Sequence, residues 1–598
     1  MSPQANSPPN PFWDPSFAYE HRDDGTVLMK QMDDLPPYLP TLADYVDKWA
    51  KKTPDAIWLA RRSELGDWQK ISYGEAHSKV RQLAAALLAL GLGPERPLLI
   101  LSENSLEHAL LGIACAYVGI PYAPLSPAYS LLSKDALKVK AIVALLKPGA
   151  VFADNGGRFA TALSWAANDN CTIINVVDPV DNAISFSQLY ANNTDSADAA
   201  RARLTPEHVV KYLFTSGSTG SPKAVINTNR MICSMQAMVR DCYRFLEFKP
   251  PVVLDWLPWN HTAAGNKIFY LVLTNGGSYY IDDGRPVEGK FDETLRNLRE
   301  IACTWYFTVP IGYDLLIQSL EHDKTLAQRF YQNLDMLFYA GAGMAQHTWD
   351  RLTNIGKAVT GRDILLATGL GSTETAPFAL AWTQLERVAG NVGVPSRGLT
   401  LKLVPVDGKL EARLKGPSIT PGYFGDAKKS AEAFDDEGFY CLGDALRPAD
   451  PNDFSRGFYF DGRLAENFKL TSGTWVSVGE VRTNLINAMG GLIRDAVIVG
   501  ENQSTVGALL LLSDSARQLP VDELNTTLLQ RLTEAAQQAT GSASRVVRAR
   551  ELPEPPSLEK GEVTEKGSLN QRALRANYAS AINELYESTE AIIVSDNI

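Results

Sequence analysis

The sequence predicts an α/β protein: a large N-terminal domain of two parallel-type sheets layered with helices plus a small β-rich subdomain, followed by a small α+β C-terminal domain. Three observations predict it. At 598 residues, with hydrophobic residues at 45% and charged ones at 21%, the chain is too long for one core and has the apolar material for several. From Leu42 onward, helical periodicity alternates with short β-branched runs, the texture of parallel sheets covered by helices. Beyond Leu399 short alternating strands and turns take over, and a last piece begins near Gly462. The expected divisions are an extension over 1–35, a main domain over 36–462 with its β-rich part at about 396–462, and a C-terminal domain over 463–598.

Residues 1–35 are rich in Pro, Asn and acidic groups and read as an irregular extension wrapping the surface. Residues 79–90 are a helix by propensity and period, closed by Gly91, and 97–101 a buried strand. A helix over 105–118 and a strand over 120–125 follow. The uncharged run 109–133 is interrupted by Pro121, Pro124 and Pro127, so a buried helix and strand explain it better than a membrane span. Further strands are expected at 172–177, 252–256 and 336–339. The β-rich part is carried by 399–405, the turn Asp407-Gly408 and 410–415. Helices over 479–488 and 521–539 flank a strand over 507–512.

The net charge of −11 argues against nucleic acid as a partner, for which a basic surface is the usual footprint. The cysteines, Cys115, Cys171, Cys233, Cys242, Cys303 and Cys441, are scattered, without a CxxC pair or zinc-like His spacing, and read as buried thiols of a reducing compartment. No basic segment followed by an apolar core opens the chain. A cytoplasmic protein is expected.

One stretch organises the rest. Residues 212–226 begin as an apolar run, then place Thr215, Ser216, Gly217, Ser218, Thr219 and Gly220 before Pro222, Lys223 and a second apolar run. Glycines that accept φ > 0 let successive N–H groups face one space, and the hydroxyls add donors to it, making a cradle for a polyphosphate. A solvated Ser/Gly linker would rarely sit between two β-branched runs with Pro-Lys at its exit. A Walker A loop needs Gly-Lys-Ser/Thr, where this chain has Pro222-Lys223-Ala224.

The stretch resembles the phosphate loop of the adenylate-forming superfamily of acyl-CoA synthetases, firefly-luciferase-like enzymes and peptide-synthetase adenylation domains. Other segments follow in that family's order over nearly the whole chain. Asp255-Trp-Leu-Pro-Trp-Asn-His261 resembles the motif whose aromatic or histidine borders the tunnel between acid and thiol, a role implied for His261. The turn over 339–344 resembles the one that lets backbone approach adenine, at Gly341 and Ala342. In Thr368-Gly-Leu-Gly-Ser-Thr-Glu-Thr375 the resemblance implies that Thr373 touches the α-phosphate and Glu374 holds Mg²⁺, with Thr215 also on the metal side; Leu370 departs from a tyrosine common in relatives. Residues 439–444 match the motif whose aspartate, here Asp444, accepts both ribose hydroxyls. Residues 458–463 resemble the end of the large domain, with Phe460 and Arg463 beside the nucleotide. Two residues on, a hinge aspartate is usual for the mobile C-terminal domain, and this chain has Ala465.

The family's catalytic-lysine motif, normally Gly-Lys, falls on 559–572, where the order is Lys-Gly at both Lys560 and Lys566. Lys566, nearer Arg572, is the expected catalytic lysine, bridging the carboxylate and the α-phosphate. Within the superfamily, 255–262, 468–477 and 561–572 are similar to feruloyl-CoA synthetases, ligases for hydroxycinnamic acids. The acid would lie between His261 and residues 307–313, with His261, Val309, Tyr313, Gly341 and Gly371 as contacts; Tyr313 could offer its hydroxyl to a ring substituent. The resemblance implies ATP, Mg²⁺ and coenzyme A, a small carboxylic acid as partner, and a monomer or homodimer. Three alternatives share most of these features: a ligase for another aryl or fatty acid, a stand-alone adenylation enzyme loading a carrier protein in trans, and a non-catalytic nucleotide-binding module. The last has its footing in the Lys-Gly order and Ala465.

Overall fold

The computed structural model describes residues 12–13, 15–131, 136–166, 170–216, 222–287, 289–385, 387–539, 541–557, 560–563, 569–587 and 592–593. A seven-stranded sheet is built from parallel strands of Leu98–Ile100, Tyr122–Pro124, Ala150–Asn155, Thr172–Val177, Ile184–Ser185 and Val209–Ser216. The antiparallel strand Pro222–Thr228 closes its edge. The helix Leu106–Val118 starts where the Ser105 hydroxyl accepts from His108 N (3.0 Å) and stops at Gly119, whose φ of +79° is open to glycine. Its burial on nearly every side explains the apolar run read in the sequence.

The second parallel layer comes in two pieces that abut. Val252–Asp255, Ser278–Ile281 and Ile57–Arg62 run parallel with Trp68–Ser72 added antiparallel; Trp305–Thr308, Met336–Tyr339 and Leu365–Ala367 form a separate parallel trio. At the seam Thr304 N donates to Val252 O (2.9 Å), and Val252 N donates to the Thr304 hydroxyl (2.9 Å). A side chain thus takes an amide that a continuous ladder would give to a backbone carbonyl.

The β-rich part is a nine-stranded antiparallel sheet and is larger than 396–462. It begins with Gly369–Leu370, Leu380–Ala381 and Asn391–Pro395, and at its other edge includes Phe17–His21 and Val27–Gln31. The expectation that residues 1–35 form an irregular wrap is therefore corrected. Val27, Met29 and Gln31 turn inward and are buried, with Gln31 Nε2 donating to Pro395 O (2.9 Å). Alternation over five residues was too short to stand out beside the prolines, and the pairing with Thr400–Val406 is tertiary.

The C-terminal part has its own apolar core, in which the sheet Ile493–Val499, Val506–Leu512, Val546–Glu551 and Ile592–Ile593 packs against Val478–Ala488 and Val521–Gln538. The α/β architecture with a smaller α+β unit agrees with the expected fold class. A junction contact is made by Lys409, whose ammonium donates to Asp461 O (2.6 Å) and to the Ser477 hydroxyl. No helix among the described residues is long and apolar enough to cross a membrane.

Candidate active site

Three segments meet at the hairpin of Val209–Ser216 and Pro222–Thr228. Thr215 lies opposite Lys223 in its register. Residues 420–424 run along the outer strand: Ile226 N donates to Gly422 O (3.2 Å), Phe424 N to Ala224 O (2.9 Å), and the Thr420 hydroxyl to Ile226 O (2.8 Å). Tyr423 is thereby set between two candidate residues. The Lys223 ammonium stands 5.0 Å from the Tyr423 ring centroid, and the Tyr423 hydroxyl donates to Glu374 Oε1 at 3.1 Å. Thr373 and Glu374 are buried in the 3₁₀ turn Thr373–Thr375, with Glu374 O accepting from Thr420 N (2.8 Å). Residues 416–423 resemble the family's structural loop, but the contact of Tyr423 with Glu374 was not legible because it spans 49 positions.

Among the described residues, no three His, Cys, Asp or Glu side chains cluster as a metal cage. A single carboxylate such as Glu374 is nevertheless a fitting donor for Mg²⁺, which takes most of its ligands from phosphates and water.

Asp444, on Tyr440–Pro448, faces Arg463 of Phe458–Arg463 in register, with Arg463 Nε 3.4 Å from Asp444 Oδ1. That buried oxygen has no hydrogen-bond donor among the described residues, and burial pushes the carboxyl up to about 6 although Arg463 pulls it down. A buried acceptor short of donors is complementary to a pair of ligand hydroxyls. Phe460 and Arg463 are exposed on the same strand.

Gly341 follows Met336–Tyr339 with φ +93°, and with Ala342 it is exposed. Val309 lies beside it, its Cγ1 3.5 Å from where a Cβ on Gly341 would lie. At Gly371 a Cβ would stand 1.8 Å from Pro377 O, so only glycine fits that backbone approach.

The segment leading to His261 hangs on buried Asp255. Leu257 N donates to Oδ1 (3.0 Å), the Tyr279 hydroxyl to Oδ2 (2.8 Å), and Trp259 Nε1 to the Tyr279 oxygen (2.9 Å). Burial pushes the Asp255 carboxyl up to about 7. His261, half-buried, accepts from Ala263 N at Nδ1 (3.2 Å), which orients the ring. Beyond it the chain widens into the π-helical turn Ala263–Ile268, a form frequent at functional sites. Side chains satisfy carbonyls of this turn: buried Lys211 donates to Gly265 O (2.7 Å), and Gln236 Nε2 to Asn266 O and Lys267 O (both 2.9 Å). A Cβ on Gly265 would fall 2.1 Å from Trp259 O. Lys211 and Lys267 were missed by sequence reasoning, although a lysine inside an apolar run was a usable signal.

Tyr313 does not reach the site. It is 0% exposed, and its hydroxyl donates to Tyr306 O (3.1 Å) and Phe338 O (2.9 Å). The expectation that it hydrogen-bonds a substrate is corrected: the ring packs in the core behind the parallel trio, and the hydroxyl satisfies two strand carbonyls.

The expectations for Gly217, Ser218, Thr219, Gly220 and Lys566 lie outside the described residues, and Ser216 is described only as the end of its strand. Lys560 is exposed and pairs with Glu554 at 3.1 Å. Next to it Glu562, fully buried, accepts from Ser557 N (2.8 Å) and Asn577 Nδ2 (2.9 Å), pinning one end of the lysine-bearing segment.

Comparison with known proteins places the chain in a family. The AMP-binding enzyme family matches residues 46–424, and the AMP-binding enzyme C-terminal domain matches 480–590. The chain therefore belongs to the AMP-binding enzyme family, a class of adenylate-forming enzymes. It is similar to a carboxylic acid reductase of Mycobacterium marinum, 24% identical over 87% of this chain and 47% of that protein. It is also similar to 4-coumarate–CoA ligase 3 of Arabidopsis thaliana, 24% identical over 73% of this chain and 76% of that one. The chain thus spans about half the length of the reductase and most of the ligase. In fold it is similar to ATP-bound MatB from Rhodopseudomonas palustris, with a TM-score of 0.69, 21% identity, and coverage of 90% of this chain and 99% of that one.

Proposed function

We propose that this protein is an ATP-dependent, AMP-forming acid–thiol ligase that makes an acyl-adenylate and then a coenzyme A thioester, with a hydroxycinnamic acid such as ferulate as its acid. The observation that carries the nucleotide half is the buried Asp444 oxygen without a donor, opposite exposed Arg463. The ribose hydroxyls supply the missing donors. Gly341 and Ala342 bring backbone to the adenine, and Thr215, Lys223 and Thr373 face the phosphates. Glu374, with Thr215, holds Mg²⁺, which when bound offsets phosphate charge.

In the first half-reaction a carboxylate oxygen of the acid attacks the α-phosphorus and the bond to pyrophosphate breaks. In the second, the thiol sulfur attacks the acyl carbon and AMP leaves. No side-chain nucleophile is needed; positioning and electrostatics suffice. We assign to Lys566 the charge that bridges the carboxylate and the α-phosphate. His261, Val309, Gly341 and Gly371 border the acid. The hydroxycinnamate reading is supported by the resemblance of 255–262, 468–477 and 561–572 to feruloyl-CoA synthetases and by the likeness to a 4-coumarate–CoA ligase.

A second reading, adenylation for a carrier-bound thiol, is favoured by the likeness to a carboxylic acid reductase that is about twice as long as the matched part. One experiment separates them. Purified protein is incubated with MgATP, coenzyme A and single acids, namely ferulate, p-coumarate, caffeate, benzoate and fatty acids, and products are identified by mass spectrometry. Feruloyl-CoA with one AMP per thioester is expected. Acyl-AMP without thioester favours the carrier reading, and absence of AMP with every acid overturns both.

A further inference from the structure

Glu374 is a buried carboxylate served by hydroxyls rather than by a cation. It is 8% exposed, and Tyr423 and Tyr440 beside it are 7% and 6% exposed. The Tyr423 hydroxyl donates to Glu374 Oε1 at 3.1 Å, and the Tyr440 hydroxyl is within reach of both Tyr423 and Glu374. Burial, together with the Glu374 charge, holds both phenols well above their ordinary value, so each keeps the proton it donates. A cation is nonetheless at hand, because the Lys223 ammonium lies over the ring of the same Tyr423, 5.0 Å from its centroid. Among the described residues neither Lys223 nor Glu374 is in an ion pair.

Burying a carboxylate is costly unless it is paired or hydrogen-bonded, and a lysine touching the same side chain is the obvious partner. The seat of Tyr423 keeps the two apart. Its backbone bridges Val225 of the outer strand, Tyr423 N donates to the Ser430 hydroxyl (2.9 Å), and Phe424 N donates to Ala224 O (2.9 Å). The ring is therefore fixed to the hairpin that carries Lys223 while its hydroxyl end reaches the turn that carries Glu374. Lys223 and Tyr423 also line a cavity of about 230 Å³. The carboxylate at that cavity, Asp426, is engaged by Lys429 at 3.0 Å and leaves Lys223 to the ring.

We propose that Tyr423 is a positioning residue that holds the Lys223 cation and the Glu374 anion apart, the first on its ring face and the second on its hydroxyl, so that both charges stay available to a metal–polyphosphate. The inference rests on the ligase reading, in which Lys223 faces the phosphates and Glu374 holds Mg²⁺. A hydroxyl satisfies a carboxylate without neutralising it, and an aromatic face attracts an ammonium without taking its charge. A direct Lys223–Glu374 pair would cancel both charges before the ligand arrived. Tyr440 is the second donor, fixing the direction in which the carboxylate points.

The test uses the full chain with saturating α,β-methylene ATP, whose bridge does not break, and Mn²⁺ in place of Mg²⁺, bound metal being read by electron paramagnetic resonance. Glu374→Gln sets the Mn²⁺ affinity without the carboxylate. Tyr423→Phe keeps the ring over Lys223 and loses the hydroxyl, and its Mn²⁺ affinity is expected to weaken about tenfold, the scale on which outer hydrogen bonds to metal ligands act. Tyr423→Leu loses the ring as well, lets Lys223 close on Glu374, and is expected to fall to the level of Glu374→Gln. Adding Lys223→Met to Tyr423→Leu removes the competing cation and is expected to recover Mn²⁺ affinity severalfold, a gain that a merely structural tyrosine would not give. Native Mn²⁺ affinity in Tyr423→Phe overturns the proposal by itself, even where the leucine variants do not fold, and so does the absence of recovery in the double variant. Either result leaves the ligase reading intact, whereas equal Mn²⁺ affinity in the native protein and Glu374→Gln overturns the metal role in that reading itself.

Discussion

The two halves of the proposed site are made in opposite ways. On the nucleotide side the candidate groups stand at strand ends and turns and are positioned by backbone bonds: Thr215 opposite Lys223, Glu374 against Thr420, and Asp444 opposite Arg463. On the acid side a buried polar network holds the entry segment, and rings enclose the Lys267 amine. The Asp255–Tyr279–Trp259 chain, the π-helical turn and the Lys267 cage are all remote from solvent. Backbone frames suit a ligand that never changes, and packed side chains suit one that differs between relatives.

The largest expected effect comes from removing one charge on the nucleotide side. Glu374→Gln keeps the shape and an acceptor for the Tyr423 hydroxyl but removes the negative charge proposed to hold Mg²⁺. Adenylation, followed as ATP–pyrophosphate exchange, is expected to fall by about 10²–10³-fold. A loss below about tenfold would mean that this side does not depend on a single carboxylate, and the contrast between the halves would weaken.

How much was legible follows the same division. Gly341 and Gly371 announced themselves because positive φ and a 1.8 Å backbone approach leave no alternative to glycine. The strands read from β-branched runs lie where expected, since local pattern and burial agree there. Tyr313 misled because an aromatic in a flat-ring segment reads equally well as lining or as core, and only the parallel trio decides which. The strands at Phe17–His21 and Val27–Gln31, the Tyr423–Glu374 contact and the Lys267 cage depend on residues far apart in sequence.

On the acid side the expected effect is smaller and appears as a pH dependence of stability. The Asp255 carboxyl is pushed up to about 7 by burial, above the roughly 3.9 of an unfolded chain. A folded value above the unfolded one means that folding takes up a proton between the two. Stability is therefore highest on the acid side of this window and falls as pH rises toward 7, by at most a few kcal/mol at about 1.4 kcal/mol per unit. Asp255→Asn, neutral throughout, is expected to remove that slope. Urea midpoints of both proteins from pH 5 to 8 should converge at the acid end, offset by any constant cost of the amide, and shift in favour of the variant at the alkaline end. Parallel profiles would show that the carboxyl titrates normally and that the network is not its burial site.

The smallest effect sharpens the nucleotide side. Asp444 is proposed to accept ribose hydroxyls in its ionised form, and burial pushes its carboxyl up to about 6, outweighing the lowering effect of Arg463. Nucleoside affinity is thus expected to be flat above pH 7 and to weaken by up to about tenfold per unit as pH falls below 6, where the carboxyl is protonated. Adenosine is the suitable probe in calorimetry, since it lacks titrating phosphates. Arg463 is exposed, so solvent screens its interaction with Asp444. Arg463→Ala is expected to move the midpoint upward by less than about one unit. A midpoint near the ordinary value of about 4 would show that Asp444 is solvated in solution, and the buried oxygen without a hydrogen-bond donor would lose its force as the mark of a ribose site. A midpoint near 6 that Arg463→Ala leaves unmoved would assign the shift to burial alone, the property that the nucleotide side then shares with Asp255.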